Sequence, residues 1–209
     1  MFYKFVRTLF RFLFTLFCRW EIQGLEHFPA AGPVIVIANH VSYWDPIVVG
    51  SALPRQVYFM AKRELYSYPV FGFVLKLLGA FPVNRQRPDR AAVKRALTHL
   101  EKGEVVGIFP EGTRSKTGEL LSPFTGAAFF ALRTGALVCP VALIGTTRIF
   151  CHGFFRKFQV RIGPVIQFNR QERRELELVA RKMMEKIQEL LDFTSEQAGI
   201  SSVRAEKPL

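Results

Sequence analysis

Uniformly apolar runs alternate along the chain with segments whose apolar residues recur at helical spacing, and that alternation predicts an α/β domain. The runs are Val-Ile-Val-Ile-Ala at 34–38, Val-Val-Gly-Ile-Phe at 105–109 and Val-Cys-Pro-Val-Ala-Leu-Ile at 138–144. Strands of such composition need cover on both faces. Gln159-Val160-Arg161-Ile162-Gly163 alternates instead, which predicts a more exposed strand at a sheet edge. Helices are predicted over 46–53, about 67–78, 88–102 and 124–134, the third opened by Pro88 and closed by Gly103. Leu176, Val179, Met183, Ile187 and Leu190 mark a long amphipathic helix. The expected fold is a single α/β domain over residues 21–193, with a mostly parallel or mixed central sheet flanked by helices. Residues 194–209 are polar without an apolar period, and a loosely ordered tail is expected there.

The first twenty residues follow a different pattern. Lys4, Arg7, Thr8, Arg11, Thr15 and Cys18 line one stripe at helical spacing, while Phe2, Phe5, Val6, Leu9, Leu13, Leu16, Phe17 and Trp20 fill the rest. A bilayer core requires roughly 20 apolar residues. Between Arg11 and Arg19 the uncharged run is only seven, so a span is not expected. Arg7 and Arg11 also interrupt any signal-peptide core, and no small-residue cleavage site follows. A basic amphipathic helix lying in a membrane interface is expected at 1–20, its rings among acyl chains and its cations near anionic head groups. The other reading is a first helix packed onto the domain core.

Composition reinforces the apolar theme. Hydrophobic residues make up 49% of the 209 and Phe alone accounts for 21, well above ordinary usage. Lys and Arg exceed Asp and Glu by 29 − 17 = 12, a balance that attracts an anionic bilayer, nucleic acid or phosphorylated small molecules. Nucleic acid is disfavoured because the cations are scattered among apolar stretches and no binding module is present. The segment Arg148 to Phe158 interleaves Phe and basic residues, which suits a second interfacial contact. Cys18, Cys139 and Cys151 are an odd number without metal-ligand spacing, so neither a disulfide framework nor a structural metal is expected.

Two motifs carry chemistry. Asn39-His40-Val41-Ser42-Tyr43-Trp44-Asp45 leaves the first apolar run, and an open α/β sheet places its ligand site beyond the carboxyl ends of its strands. A histidine there can take a proton from a hydroxyl, and Asp45 can fix its tautomer. On a regular helix the two side chains would point about 140° apart, so their pairing requires a turn. Asp45 before Pro46 also reads as an N-cap, Asn39 as a turn residue and Ser42 as a local cap. The second motif, Phe109-Pro110-Glu111-Gly112-Thr113-Arg114-Ser115, leaves the 105–109 run. Gly112 lets backbone approach a ligand, Arg114 offers a planar fork for phosphate oxygens, and Glu111 can accept a substrate hydroxyl or pair with Arg114. Arg85, closing Gly79 to Arg85, is a second phosphate candidate. The apolar segment Tyr68 to Leu78 reads either as an acyl-channel wall or as a core helix.

In this order, the His40–Asp45 block, Gly79 through Arg85, Phe109 through Ser115 and the strand around Pro140 resemble the 1-acylglycerol-3-phosphate acyltransferases of the glycerolipid acyltransferase superfamily. The resemblance covers roughly residues 20 to 165. It implies transfer of a fatty acyl group from acyl-CoA or acyl-carrier protein to the sn-2 hydroxyl of lysophosphatidic acid, giving phosphatidic acid. It further implies His40 as general base, Asp45 as its partner, Arg85, Glu111, Gly112 and Arg114 around the acceptor's phosphate and glycerol, and Pro140 in the acyl region. The bulky Tyr43-Trp44 pair leaves the acceptor's entry open.

No cysteine and no G-x-S-x-G serine accompanies His40, so direct attack of the acceptor hydroxyl on the thioester is expected, with no metal and no cofactor beyond the acyl donor. A peripheral or monotopic protein on the cytoplasmic membrane face is the matching location. Two competing functions are a related acyltransferase acting on glycerol 3-phosphate or another lysophospholipid, and a non-enzymatic basic membrane-binding protein.

Overall fold

The computed structural model describes residues 1–84, 87–151, 154–169 and 175–193. Its centre is β2 (Val34–Ala38), flanked by β5 (Val105–Ile108) and β6 (Leu137–Ile144). Beyond β5 lie β3 (Val57–Lys62) and β4 (Phe81–Val83); beyond β6 lie β9 (Gln159–Ile162) and β1 (Glu21–Gln23). The resulting order is β1-β9-β6-β2-β5-β3-β4, parallel at every step except β6 against β9. A small hairpin, β7 (Phe150–Cys151) with β8 (Phe154–Phe155), stands apart.

The uniform apolarity of β2 follows from its two covered faces. Val34, Val36 and Ala38 meet α2 (Asp45–Ala52), whereas Ile35 and Ile37 meet a layer built from α4 (Arg90–Glu101), α5 (Gly126–Thr134) and α6 (Leu176–Asp192). All five side chains of β2 are at most 2% exposed, so register there is set by core filling on both sides. The predicted period of α6 holds, with Val179, Met183 and Ile187 buried. α4 starts two residues later than Pro88 implied, because the Asp89 carboxylate accepts from the Ala92 amide at 3.1 Å and is the true N-cap. Gly103, at φ +73°, closes that helix as expected.

The strand at 159–162 is not an edge strand. β1 pairs with its outer side, Ile22 opposite Val160, and three residues are too few to show a period in sequence. Its alternation instead reflects unequal cover of the two faces: Val160 and Ile162 are buried while Gln159 and Arg161 are half-buried.

The amino-terminal helix α1 (Phe2–Leu13) continues through a π-helical turn to Cys18, and it joins both earlier readings while reversing one detail. Its two arginines face protein, while Lys4 is exposed. Arg11 donates to the carbonyls of Ser51 at 3.0 Å and Ala52 at 3.2 Å, Arg7 donates to those of Leu53 and Pro54, and the Tyr3 hydroxyl donates to Gly50 O at 3.1 Å. These are the last carbonyls of α2 and the turn after it, which have no intrahelical partners and sit at the negative end of the helix dipole. Arg7 and Arg11 therefore do not reach for head groups. Phe14 and Cys18 enter the core, and Phe10 and Phe14 pack edge-on against Trp44. Phe2, Phe5, Leu9, Phe12, Leu16 and Phe17 are left exposed. No described helix is long and apolar enough to cross a membrane.

Candidate active site

The carboxyl ends of β2 and β5 lie side by side, and each delivers one of the two motifs to the same edge of the sheet. After β2 the chain leaves Asn39 and His40 outside any helix and turns through 41–44 into α2, so Asp45 at the head of that helix swings back. The His40 Nδ1–H donates to Asp45 Oδ2 at 2.8 Å. The same oxygen accepts from the Val41 and Ser42 amides, each at 2.7 Å, while Oδ1 accepts from the Thr146 hydroxyl at 2.7 Å. Asp45 and Thr146 are both 0% exposed.

Asp45 is thus not an N-cap in the ordinary sense, since it serves amides before α2 and not those of its first turn. Ser42 does act locally, its Oγ accepting from the Trp44 amide at 3.2 Å. Asn39 is not a turn residue. Its Oδ1 accepts from the Leu143 amide at 2.7 Å and its Nδ2 donates to the Leu143 carbonyl at 3.0 Å, clamping the exit of β2 to the exit of β6. Neither Asn39's clamp nor Thr146 was foreseen; both act across the sheet on residues more than a hundred positions away.

Glu111 joins the two motifs. It is 2% exposed; Oε1 accepts from the His40 amide at 2.8 Å and Oε2 from the Leu121 amide at 3.0 Å. The Ser115 amide donates in return to the His40 carbonyl at 2.8 Å. Burial pushes the Glu111 carboxyl above its ordinary range, and those two amides pull it back. With both oxygens spent on backbone, Glu111 makes no pair with Arg114. The Arg114 guanidinium instead lies over the exposed Tyr43 ring, 3.4 Å from its centroid. Gly112 has φ +66°, and a Cβ there would sit 2.6 Å from the Phe124 ring, so only glycine fits the turn.

Pro140 is placed elsewhere. It lies within β6, its carbonyl accepting from the Gly163 amide at 2.9 Å, and it is not among the residues lining the cleft described below. Its missing N–H falls where the β6–β9 ladder has stopped at Val141–Ile162 and before the Val138–Ile166 bridge, which is why a proline is tolerated inside this sheet. Arg85 lies outside the described residues.

His40 opens onto a cleft of about 750 Å³. His40, Gly112 and Arg114 stand at one part of its wall; the remainder is mostly apolar, with Val6 from α1, Ile47 from α2, Phe59 and Met60 from β3, and Phe71 and Leu75 from α3 (Pro69–Leu77). The segment read either as a channel wall or as a core helix is half of each: Phe71, Leu75 and Leu78 line the cleft, and Val70 and Phe73 are exposed outside it. Trp44 does not obstruct the cleft, being turned toward α1. The His40 ring stacks on Phe109 with centroids 4.1 Å apart. With Nδ1–H engaged by Asp45, Nε2 is the nitrogen left to accept a proton. Among the described residues no His, Cys, Asp or Glu cluster has the makings of a metal site.

A family model described as Acyltransferase matches residues 19–144, more than half of the chain. The chain belongs to the acyltransferase family. The match contains His40, Asp45, Glu111, Gly112 and Arg114 and stops short of Thr146. Among similar proteins, the 1-acyl-sn-glycerol-3-phosphate acyltransferase of Bacillus subtilis is 34% identical over 144 residues, covering 68% of this chain and 71% of that protein. The chloroplastic enzyme of the same name from Arabidopsis thaliana is 36% identical over 140 residues, covering 66% of this chain. This acyltransferase spans only 39% of the Arabidopsis protein's length. The crystal structure of the 1-acyl-sn-glycerophosphate acyltransferase from Thermotoga maritima superimposes with a TM-score of 0.73 at 27% identity, covering 92% of this chain and 81% of that one.

Proposed function

We propose that this acyltransferase moves a fatty acyl group from the thioester of acyl-CoA or acyl-carrier protein to the sn-2 hydroxyl of lysophosphatidic acid, forming phosphatidic acid and a free thiol. The observation that carries the reading is the His40–Asp45 pair at 2.8 Å, opening onto an apolar cleft with Arg114 on its wall. His40 Nε2 takes the acceptor's hydroxyl proton as its oxygen attacks the thioester carbonyl, and the buried Asp45 carboxylate stabilises the imidazolium. Collapse of the tetrahedral adduct breaks the carbon–sulfur bond, and His40 returns the proton to the leaving thiolate. No side chain becomes acylated, and the reaction as written needs no metal or cofactor.

Arg114 supplies charge for the acceptor's phosphate, leaving Tyr43 or binding from above it; Arg85 is assigned beside it by the family resemblance alone. Glu111 and Gly112 shape that end of the site by holding its loops, and Pro140 contributes through the sheet rather than by touching the chain. Removing a charge-assisted contact costs about 1.5–3 kcal/mol. Arg114→Ala is therefore expected to raise the acceptor's KM by roughly tenfold to a hundredfold with kcat little changed, measured at saturating acyl donor. An acceptor panel tests the substrate itself: lysophosphatidic acid should be preferred over glycerol 3-phosphate and over lysophospholipids without a phosphomonoester. Preference for one of the latter group would replace this acceptor.

The work surface is an anionic membrane, approached peripherally from the cytoplasmic side, and no nucleic acid is involved. Support comes from the +12 charge and from the outward aromatic face of α1. Phe5→Asp with Phe12→Asp alters only residues 66% and 61% exposed. That pair should weaken sedimentation with anionic vesicles while leaving the melting temperature in place; undiminished sedimentation would remove α1 from the contact.

A further inference from the structure

Resting on that reading, we propose that Thr146 is a positioning residue for the acyl transfer, holding the outer oxygen of Asp45 so that the inner one stays aligned on His40. The chain reaches this spot by a specific route. β6 ends at Ile144, and Gly145, at φ +82°, turns the backbone sharply into a short 3-10 turn over Thr146–Arg148. A side chain at 145 would meet the carbonyl of Lys157 at 3.2 Å. The turn sends Thr146 back toward the head of α2, where its hydroxyl donates to Asp45 Oδ1.

The two oxygens of Asp45 then have separate duties. Oδ2 carries His40 Nδ1–H and two backbone amides from the 41–42 loop, all within 2.8 Å. Oδ1 has the Thr146 hydroxyl as its hydrogen-bond partner. Rotation about the Cβ–Cγ bond moves both oxygens together, so the Thr146 donor on Oδ1 adds to the three donors on Oδ2 a restraint that comes from a different strand end. The exit of β6 is itself pinned by the Asn39 clamp on Leu143, adjacent to His40 in sequence. Base, carboxylate and hydroxyl are thereby referenced to the same two strand ends. Thr146 lies beyond the stretch matched by the family model and is not among the residues lining the cleft, so its effect reaches the reaction through Asp45.

The test compares three full-length proteins in one steady-state acyl-transfer assay, with melting followed in parallel. Thr146→Val keeps the volume and removes the donor. Misalignment of a reacting group can cost about a hundredfold, and kcat is expected to fall by roughly tenfold to a hundredfold with both KM values unchanged. Thr146→Ser, which keeps the donor and loses the methyl, is expected to recover most of kcat, and it carries the test should the valine variant fail to fold. Wild-type kcat in the valine variant, or a serine variant as slow as the valine one, overturns the proposal. A wild-type protein that transfers no acyl group would instead overturn the function on which it rests.

Discussion

His40→Ala is expected to lower kcat by about a hundred- to ten-thousandfold, the range that a positioned general base supplies. The structure separates that loss from folding. The contacts that knit the two motif loops at residue 40 use its backbone: the amide donates to Glu111 at 2.8 Å and the carbonyl accepts from the Ser115 amide at 2.8 Å. Alanine keeps both. What it gives up is the ring's stacking on Phe109 and the hydrogen bond to Asp45, and an aromatic contact of this kind is worth about 0.5–1.5 kcal/mol. With the charge-assisted hydrogen bond to Asp45 adding about 1.5–3 kcal/mol, melting should fall by roughly five to fifteen degrees with the fold retained, while turnover collapses. Because the substitution leaves the exposed rings of α1 unchanged, vesicle association should persist. A variant that turns over substantially would remove His40 as the base, and unchanged function throughout is the outcome that a non-enzymatic membrane binder requires.

Asp45→Asn should damage kcat comparably, by up to about ten-thousandfold, with far less effect on folding than Asp45→Ala. The asparagine oxygen can occupy the Oδ2 position and accept from His40, Val41 and Ser42 as before. Its amide nitrogen then meets the Thr146 hydroxyl, which rotates from donor to acceptor. Geometry survives; the negative charge that stabilises the imidazolium does not. Alanine, by contrast, strands those donors at a site that is 0% exposed, each costing about 1–3 kcal/mol. Steady-state kinetics alongside denaturant unfolding distinguish the two: asparagine slow but stable, alanine slow and unstable. An asparagine variant with near-normal kcat would mean that the charge of Asp45 is not used.

Much of the site was legible because strand chemistry and motif chemistry coincide. The runs at 34–38 and 105–109 are apolar on every residue, which marks them as central strands, and the motifs begin where they end. That juxtaposition puts His40, Asp45, Glu111, Gly112 and Arg114 together without any knowledge of contacts. The tasks within the group were less legible. Glu111 beside Arg114 in sequence suggests an ion pair, yet a buried carboxylate facing two free amides satisfies them first, and the arginine finds the Tyr43 ring. Thr146 gave no signal, since a threonine 101 residues from its partner belongs to no spacing.

The fold was read with the same strengths and gaps. Long or doubly covered elements were found, while β1 at three residues, β4 at three and the half-buried β3 were not, and the missing β1 is what turned β9 into a supposed edge. The amphipathic character of α1 was evident, but its orientation was not. An arginine stripe fits phosphate head groups and the carbonyl end of a neighbouring helix equally well, because both present oxygen-borne negative potential. Only the proximity of α2's last carbonyls decides between them, and it sets the aromatic face outward.

The most direct test of the central claim is product analysis with the purified chain, lysophosphatidic acid and a set of labelled acyl thioesters, carried by CoA and by acyl-carrier protein, with His40→Ala run beside it. Label should appear in phosphatidic acid at the sn-2 position with release of one thiol per acyl group, and not with the variant. No labelled phosphatidic acid from any donor, or equal labelling by His40→Ala, would contradict acyl transfer by this histidine.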